Sequence, residues 1–324
     1  MTDTAPTPTG ASAASAASFA SVRRENRKGL IFGFASYGLW GVLPLYFLLL
    51  APTGAFEVVA WRVLFSLVFC VLLVTVTRKW AVLRGVFRQR RVMLIMGLAG
   101  LLIFVNWQTY VFAATTGHVV EAALGYFINP IVTVFLGVVV LRERLRRLQW
   151  IAVGISIAAV VVLALGYGTL PWISLILAFS FGFYGLIKKR VSTSVDALTG
   201  LTLETAWLAP VAVIQLVVVA GISGLTFGTV SPLHTMGLLA AGVITAVPLL
   251  FFAAAARRLP LSVVGLIQFV TPVMQFLVGV FVLNEPMPAE RWAGFSLVWV
   301  ALIMLTLDMV VFGRAPRRAS LERV

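Results

Sequence analysis

Charge is scarce in this sequence. Only 11% of its 324 residues are Asp, Glu, Lys or Arg, against roughly a quarter in a soluble domain. A chain so poor in charge and 61% hydrophobic cannot turn most of its surface to water. Cysteine occurs once, at Cys70, which excludes an internal disulfide and a thiolate metal cluster. The two histidines, His118 and His234, fall in or beside loops, which argues against a Ser-His-Asp arrangement or a histidine-rich metal site inside the apolar segments. There is no G-x-x-x-x-G-K-[ST], H-E-x-x-H or G-x-S-x-G, so nothing points to ATP hydrolysis or to those hydrolases. No cofactor and no enzymatic activity are expected.

Basic residues outnumber acidic ones by 25 to 11. On a soluble domain that excess would point to nucleic acid. Here it sits in short clusters between apolar runs, as membrane topology signals do, so nucleic acid is not an expected partner and membrane lipid is.

A membrane-crossing helix needs about 20 mostly apolar residues. Ten runs qualify: 29–50, 57–76, 92–114, 119–140, 148–166, 171–187, 200–220, 235–256, 262–283 and 291–312. They are apolar on every side, unlike soluble amphipathic helices, and too long and unalternating for barrel strands. With the N-terminus placed in the cytoplasm, 23 of the 25 basic residues fall in cytoplasmic segments. Arg291 alone lies outside and Arg62 lies within a run. That asymmetry predicts an N-in, C-in protein with an even number of spans. Residues 1–28 are expected to form a disordered cytoplasmic tail: the first 21 are Ala, Ser, Thr and Pro with almost no charge, and they lack the pattern of a signal peptide.

The sequence also resembles itself. Shifted by 142, Phe127 meets Phe269, Pro130 meets Pro272, Gly137 meets Gly279, Glu143 meets Glu285 and Trp150 meets Trp292. Each half holds five runs, so the second half is expected to enter the membrane upside down. The basic loop around Glu143 and the acidic loop around Glu285 fit that inversion. The predicted architecture is an all-α polytopic membrane protein of ten spans in two inverted five-helix repeats, residues 29–166 and 167–312, with a basic cytoplasmic tail over 313–324. Such repeats place a site at their interface near the midplane.

Several motifs now fall in order: Glu121 through Pro130 (EAALGYFINP), Glu143, Gln149-Trp150, Ala178 through Leu186 (AFSFGFYGL), and Glu204 with Trp207 and Pro210. In these the chain resembles the RarD branch of the EamA family, in the drug/metabolite transporter superfamily, over about residues 27–312. The resemblance implies ten helices in two EamA-type repeats, a bacterial plasma membrane and a transport function. It does not name a cargo.

A charge within the bilayer costs about 2.5–3.5 kcal/mol on insertion scales and is expected to face the bundle interior with a partner. Arg62 lies roughly 9 Å from the outer end of its span, taking about 1.5 Å per residue. Glu121 and Asn106 are expected in the same outer layer, with Tyr110 one turn beyond Asn106. Arg62 is expected to pair with Glu121, directly or through a water, and Glu121 to carry any proton coupling. Along the fourth run Glu121, Gly125, Asn129 and Thr133 share one face. Asn129 precedes Pro130, which frees a backbone carbonyl, so this face is the expected cavity wall. Trp40, Trp107 and Tyr126 stand at a similar level as an apolar wall. Plainer roles compete: helix-to-helix hydrogen bonds for Asn129, packing for the tryptophans, a structural pair for Arg62.

The leading reading is a secondary transporter, an exporter of small metabolites or drugs, working by alternating access around a central cavity, with protons a possible coupling ion. An intramembrane lipid-modifying enzyme would want clustered His, Asp or Glu at one face. A scaffold or sensor would not need an inverted repeat. No oligomeric state is assigned.

Overall fold

The computed structural model describes residues 10–141, 147–167, 170–191, 195–256, 258–259 and 267–312. Glu143, the side chains of Thr133 and Gly137, the entry to the run at 262–283 and the tail 313–324 lie outside the described residues. Every regular element among those described is helical. Lipid offers no hydrogen bonds, so a crossing chain must satisfy its backbone internally, and helices do so.

The helices are α1 (Gly10–Gly41), α2 (Leu43–Leu49), α3 (Ala55–Val76), α4 (Trp80–Phe87), α5 (Arg90–Thr115) and α6 (Val119–Leu141). They continue as α7 (Arg147–Tyr167), α8 (Trp172–Val191), α9 (Ala197–Ile222), α10 (Pro232–Ala256), α11 (Val270–Leu277) and α12 (Ala289–Phe312). A π-helical turn over Val278–Val282 follows α11. Among the described residues six helices are long and apolar enough to cross a membrane, or seven if the bent α1–α2 pair is one span. Three further apolar stretches, Val119–Val132, Trp172–Lys188 and Val270–Val282, are shorter. Large apolar side chains such as Leu72, Val76, Leu165, Val217 and Ile222 point outward, where a water-soluble protein would place charge.

Two expectations need correction. The first span bends by 41° between Gly41 and Leu43. Pro44 enters as one of the first residues of α2; it has no N–H to give the carbonyl of Trp40 and its ring crowds that turn. The tail expected to be disordered over 1–28 is helical from Gly10 onward. Its Ala-rich stretch has high helix propensity, and Glu25 is held by Lys28 at 2.6 Å and by Arg258 at 3.0 Å.

The self-similarity of the sequence reappears in the helices. Helices α3, α5 and α7 begin at 55, 90 and 147, and α9, α10 and α12 begin at 197, 232 and 289, displaced in each case by the offset that relates Pro130 to Pro272. Contacts follow the same exchange. Helix α3 packs on α10 as α9 packs on α5, α1 packs on α10 as α8 packs on α5, and α3, α6 and α7 pack against α9, α11 and α12. Two glycines, related by the same offset, permit close backbone crossings between the halves. A Cβ on Gly242 of α10 would collide with the Phe65 carbonyl of α3, and one on its counterpart Gly100 would sit 3.2 Å from the Glu204 carbonyl of α9. Gly41 and Gly279 likewise lie tight against Met274 and Val120.

Candidate functional site

Arg62 lies in the first third of α3 and is 4% exposed. Its Nε donates to the Thr245 hydroxyl of α10 at 2.7 Å, and Thr245 donates onward to the Ala241 carbonyl at 2.7 Å. The guanidinium lies 4.5 Å from the Trp107 ring centroid and 5.7 Å from that of Phe47. Tyr46, Tyr110 and Tyr126 are its electrostatic neighbours. Its Nη1 is buried with no hydrogen-bond partner. Among the described residues no carboxylate lies within ion-pair distance of it. A buried cation without a counter-ion is costly, and cation–π contacts worth about 2 kcal/mol when desolvated offset only part of that.

A hydrogen-bonded aromatic set surrounds it. Gln275 of α11, 1% exposed, gives its amide nitrogen to the Tyr110 hydroxyl at 2.8 Å and to the Trp40 carbonyl at 3.2 Å. The Trp40 carbonyl is the one Pro44 leaves without its helical donor. Because that carbonyl accepts only, it fixes which end of the amide is which, and Gln275 Oε1 is left buried without a partner. The Tyr126 hydroxyl donates to Asn106 Oδ1 at 3.1 Å, while Asn106 Nδ2 donates to the Leu177 carbonyl and the Ser180 hydroxyl, both at 3.1 Å. Ring centroids of Tyr110 and Tyr126 are 5.6 Å apart, and those of Phe47 and Tyr110 6.0 Å. Tyr46 donates to the Gly237 carbonyl at 2.9 Å. The first half supplies the cation and most of the rings; the second supplies Thr245 and Gln275.

A groove of about 490 Å³ opens where the turn into α3 meets the end of α5, and it is lined by Phe47, Ala51, Thr53, Phe56, Phe112 and Thr116. Phe47 in this lining is also the ring 5.7 Å from the Arg62 guanidinium.

Of the residues singled out from sequence, Arg62, Trp107, Tyr110, Tyr126 and Asn106 come together, and Trp40 joins through its carbonyl. Glu121 does not join them, and the expected Arg62–Glu121 pair is not formed. Glu121 accepts from the Ile173 backbone N–H at 3.2 Å at the start of α8, its own carbonyl accepts from Ser174 at 2.6 Å, and it shares a small cavity with Arg291. The stripe expected to wall a cavity is the α6–α8 contact. A Cβ on Gly125 would meet the Ser174 carbonyl at 2.8 Å, and Asn129 Oδ1 stands 3.7 Å from the Cβ position of Gly182. A four-residue spacing with a glycine serves helix packing as readily as a lumen. Thr245, Gln275, Tyr46 and Phe47 were missed from sequence. The visible signal was Gln275, a lone amide in the middle of an apolar run.

Elsewhere, carboxylates hold backbone between the halves. Glu57 accepts from the Thr226 and Phe227 N–H groups at 2.9 to 3.1 Å and from the Thr226 hydroxyl at 3.0 Å. Glu285 accepts from the N–H groups of Val119 and Val120 at 2.6 and 2.9 Å, capping α6 where its free N–H groups favour an anion. Glu204, the counterpart of Arg62 in the second repeat, is 1% exposed, with Lys188 at 2.6 Å and the Tyr184 hydroxyl at 3.2 Å.

Comparison with known proteins agrees with this architecture. The chain matches the EamA-like transporter family twice, over residues 27–165 and 170–307, and it belongs to that family of membrane transporters. Within the family it falls in the RarD branch. It is 48% identical to "Protein RarD" of Streptomyces exfoliatus, over 92% of this chain and 94% of that one. It is 39% identical to "Protein RarD" of Escherichia coli strain K12, over 89% and 96%, and 40% identical to "Uncharacterized transporter YojE" of Bacillus subtilis strain 168, over 90% and 98%. A solved structure titled only "Crystal structure of protein" shares the fold, with a TM-score of 0.56 at 17% identity over 87% of this chain and 98% of that one.

Proposed function

We propose that this membrane transporter is a secondary exporter of small molecules that works by alternating access, with ten spans in two inverted five-helix repeats, residues 29–166 and 167–312, and both termini in the cytoplasm. One observation carries the reading: polar atoms left unpaired and buried, Arg62 Nη1 and Gln275 Oε1, stand on opposite halves of a chain whose helices repeat at a fixed offset. A buried polar group without a partner costs about 1–3 kcal/mol, a cost that a ligand bridging the two halves would offset. The family supports transport, and the loop charges support the orientation. Proton coupling through an Arg62–Glu121 pair has no geometric support, because the Glu121 carboxylate accepts from the Ile173 N–H at the start of α8.

The test uses single cysteines in a Cys70→Ala background. A cysteine at Thr229 is expected to react with a membrane-impermeant thiol reagent on intact cells, and one at Arg88 only in inside-out vesicles. A cysteine at Thr245 is expected to react slowly from either side. Reversed labelling at Thr229 and Arg88 overturns the orientation. A Thr245 position that no reagent reaches from one of the sides overturns alternating access.

A further inference from the structure

We infer that the site at Arg62 takes a small organic monoanion, a carboxylate on a flat apolar body, an assignment of cargo class that rests on the transport reading above. Arg62 brings one positive charge that no carboxylate among the described residues neutralises, and its electrostatic neighbours are three phenols. A single negative charge from the ligand balances the site. A cation would be repelled, a neutral molecule would leave the guanidinium uncompensated, and a dianion would bring one charge too many to a place with no second cation among those neighbours.

The guanidinium stands over the Trp107 and Phe47 rings, and its buried Nη1 has nothing to donate to. The Tyr110 hydroxyl already accepts from Gln275, so its own proton is a second donor. Both donors suit a carboxylate, whose two oxygens accept only. Gln275 Oε1 is the complementary feature, an acceptor without a donor, and it selects a ligand that also carries a hydroxyl or N–H on its body. Phe47, Trp107, Tyr110 and Tyr126 supply ring faces and edges for that body. Phe47 separates the outer groove from Arg62 and rides on α2 beyond the bend at Pro44, so displacement of this short segment opens the way in.

The experiment measures thermal stabilisation of purified wild-type protein in detergent at neutral pH. The probes are benzoate, phenylacetate and 4-hydroxybenzoate, each against its uncharged amide, with terephthalate as the dianion. At least one acid is expected to stabilise the protein where its amide does not, with 4-hydroxybenzoate ahead of benzoate and terephthalate without effect. Arg62→Met is expected to weaken acid binding by at least about tenfold, the size of a charge-assisted hydrogen bond. Arg62→Lys should retain part of it, and Gln275→Leu should erase the preference for the hydroxylated acid. Acids and amides acting alike, no acid acting at all, or undiminished binding to Arg62→Met each overturn the assignment. If Arg62→Met does not fold, the acid–amide comparison on wild type and the Arg62→Lys titration decide. Counterflow of the stabilising acid in proteoliposomes separates the two readings. Arg62-dependent binding without counterflow keeps the ligand class and sinks transport of it; two-sided access at Thr245 without acid binding keeps alternating access and sinks the ligand class.

Discussion

Arg62 and Glu204 occupy the same place in the two repeats, and the chain treats them in opposite ways. Glu204 is buried and paired, with Lys188 at 2.6 Å and Tyr184 at 3.2 Å. Arg62 is buried and left with aromatic rings and one hydroxyl. A duplicated scaffold offers the same slot twice. Filling one slot with a complete ion pair fastens helices α8 and α9 to each other. Filling the other with an open cation leaves a charge that a ligand can neutralise. On the reading proposed above, the contrast separates a charge kept for structure from a charge kept for binding, although both are rare ions of apolar runs, of the kind that flag function.

The comparison is easiest to break from its paired side. Lys188→Met strands the Glu204 carboxylate, and removing one partner of a buried pair costs on the order of 3 kcal/mol. A thermal or denaturant melt in detergent should show a clear loss, largely recovered when Glu204→Gln is added. An unchanged melt would mean that the pair fastens nothing. Arg62→Met should cost far less, within about 1 kcal/mol, because the change removes a charge that has no counter-ion and leaves no carboxylate behind. A loss as large as that of Lys188→Met would reveal a hidden counter-ion and collapse the distinction.

The smallest effect sharpens it at the aqueous edge. Asp196, before α9, meets Lys79 at 3.0 Å and the Thr199 hydroxyl at 2.6 Å. Partial burial opposes its charge, but these hydrogen bonds outweigh burial and hold the carboxyl below its usual value. Its contribution is therefore complete above the unfolded pKa of about 3.9 and is lost as pH falls through the lower folded value. Asp196→Asn should cost about 0.5 kcal/mol or less at neutral pH. That difference should shrink in high salt and vanish in strong acid. A cost that persists in acid would show that the contact is not electrostatic.

Much of this was legible in the sequence. Length and polarity of the runs set the helices, and the internal shift told which helix answers which. Proximity was partly legible too: rise per residue is constant, and Arg62, Asn106 and Tyr110, given neighbouring levels, fall in one cluster through Tyr126. Rotation about the helix axis was not. Glu121 was given a depth like theirs but turns toward α8, and only packing decides that. The partners Thr245 and Gln275 lie in the other half of the chain from Arg62, and a hydroxyl or amide in an apolar run does not announce its neighbour. The helix from Gly10 escaped because composition suited to disorder, rich in Ala and Ser, is also suited to a helix once Glu25 and Arg258 tie it down.

The glycine crossings carry a mechanical consequence. Gly100 rests on the backbone of α9 at Glu204, and Gly242 rests on the backbone of α3 at Phe65, each joining one half to the other with no side chain between. Where two rigid bodies touch backbone to backbone, sliding is small and turning is what remains. Gly125 against the Ser174 backbone is a third contact of this kind, and under the alternating access proposed above such contacts would be the pivot. One contact lies at the paired acid itself and another three residues from the open cation. On the proposed reading the polar groups between the halves would move least, and the loops at either end would sweep the widest arc.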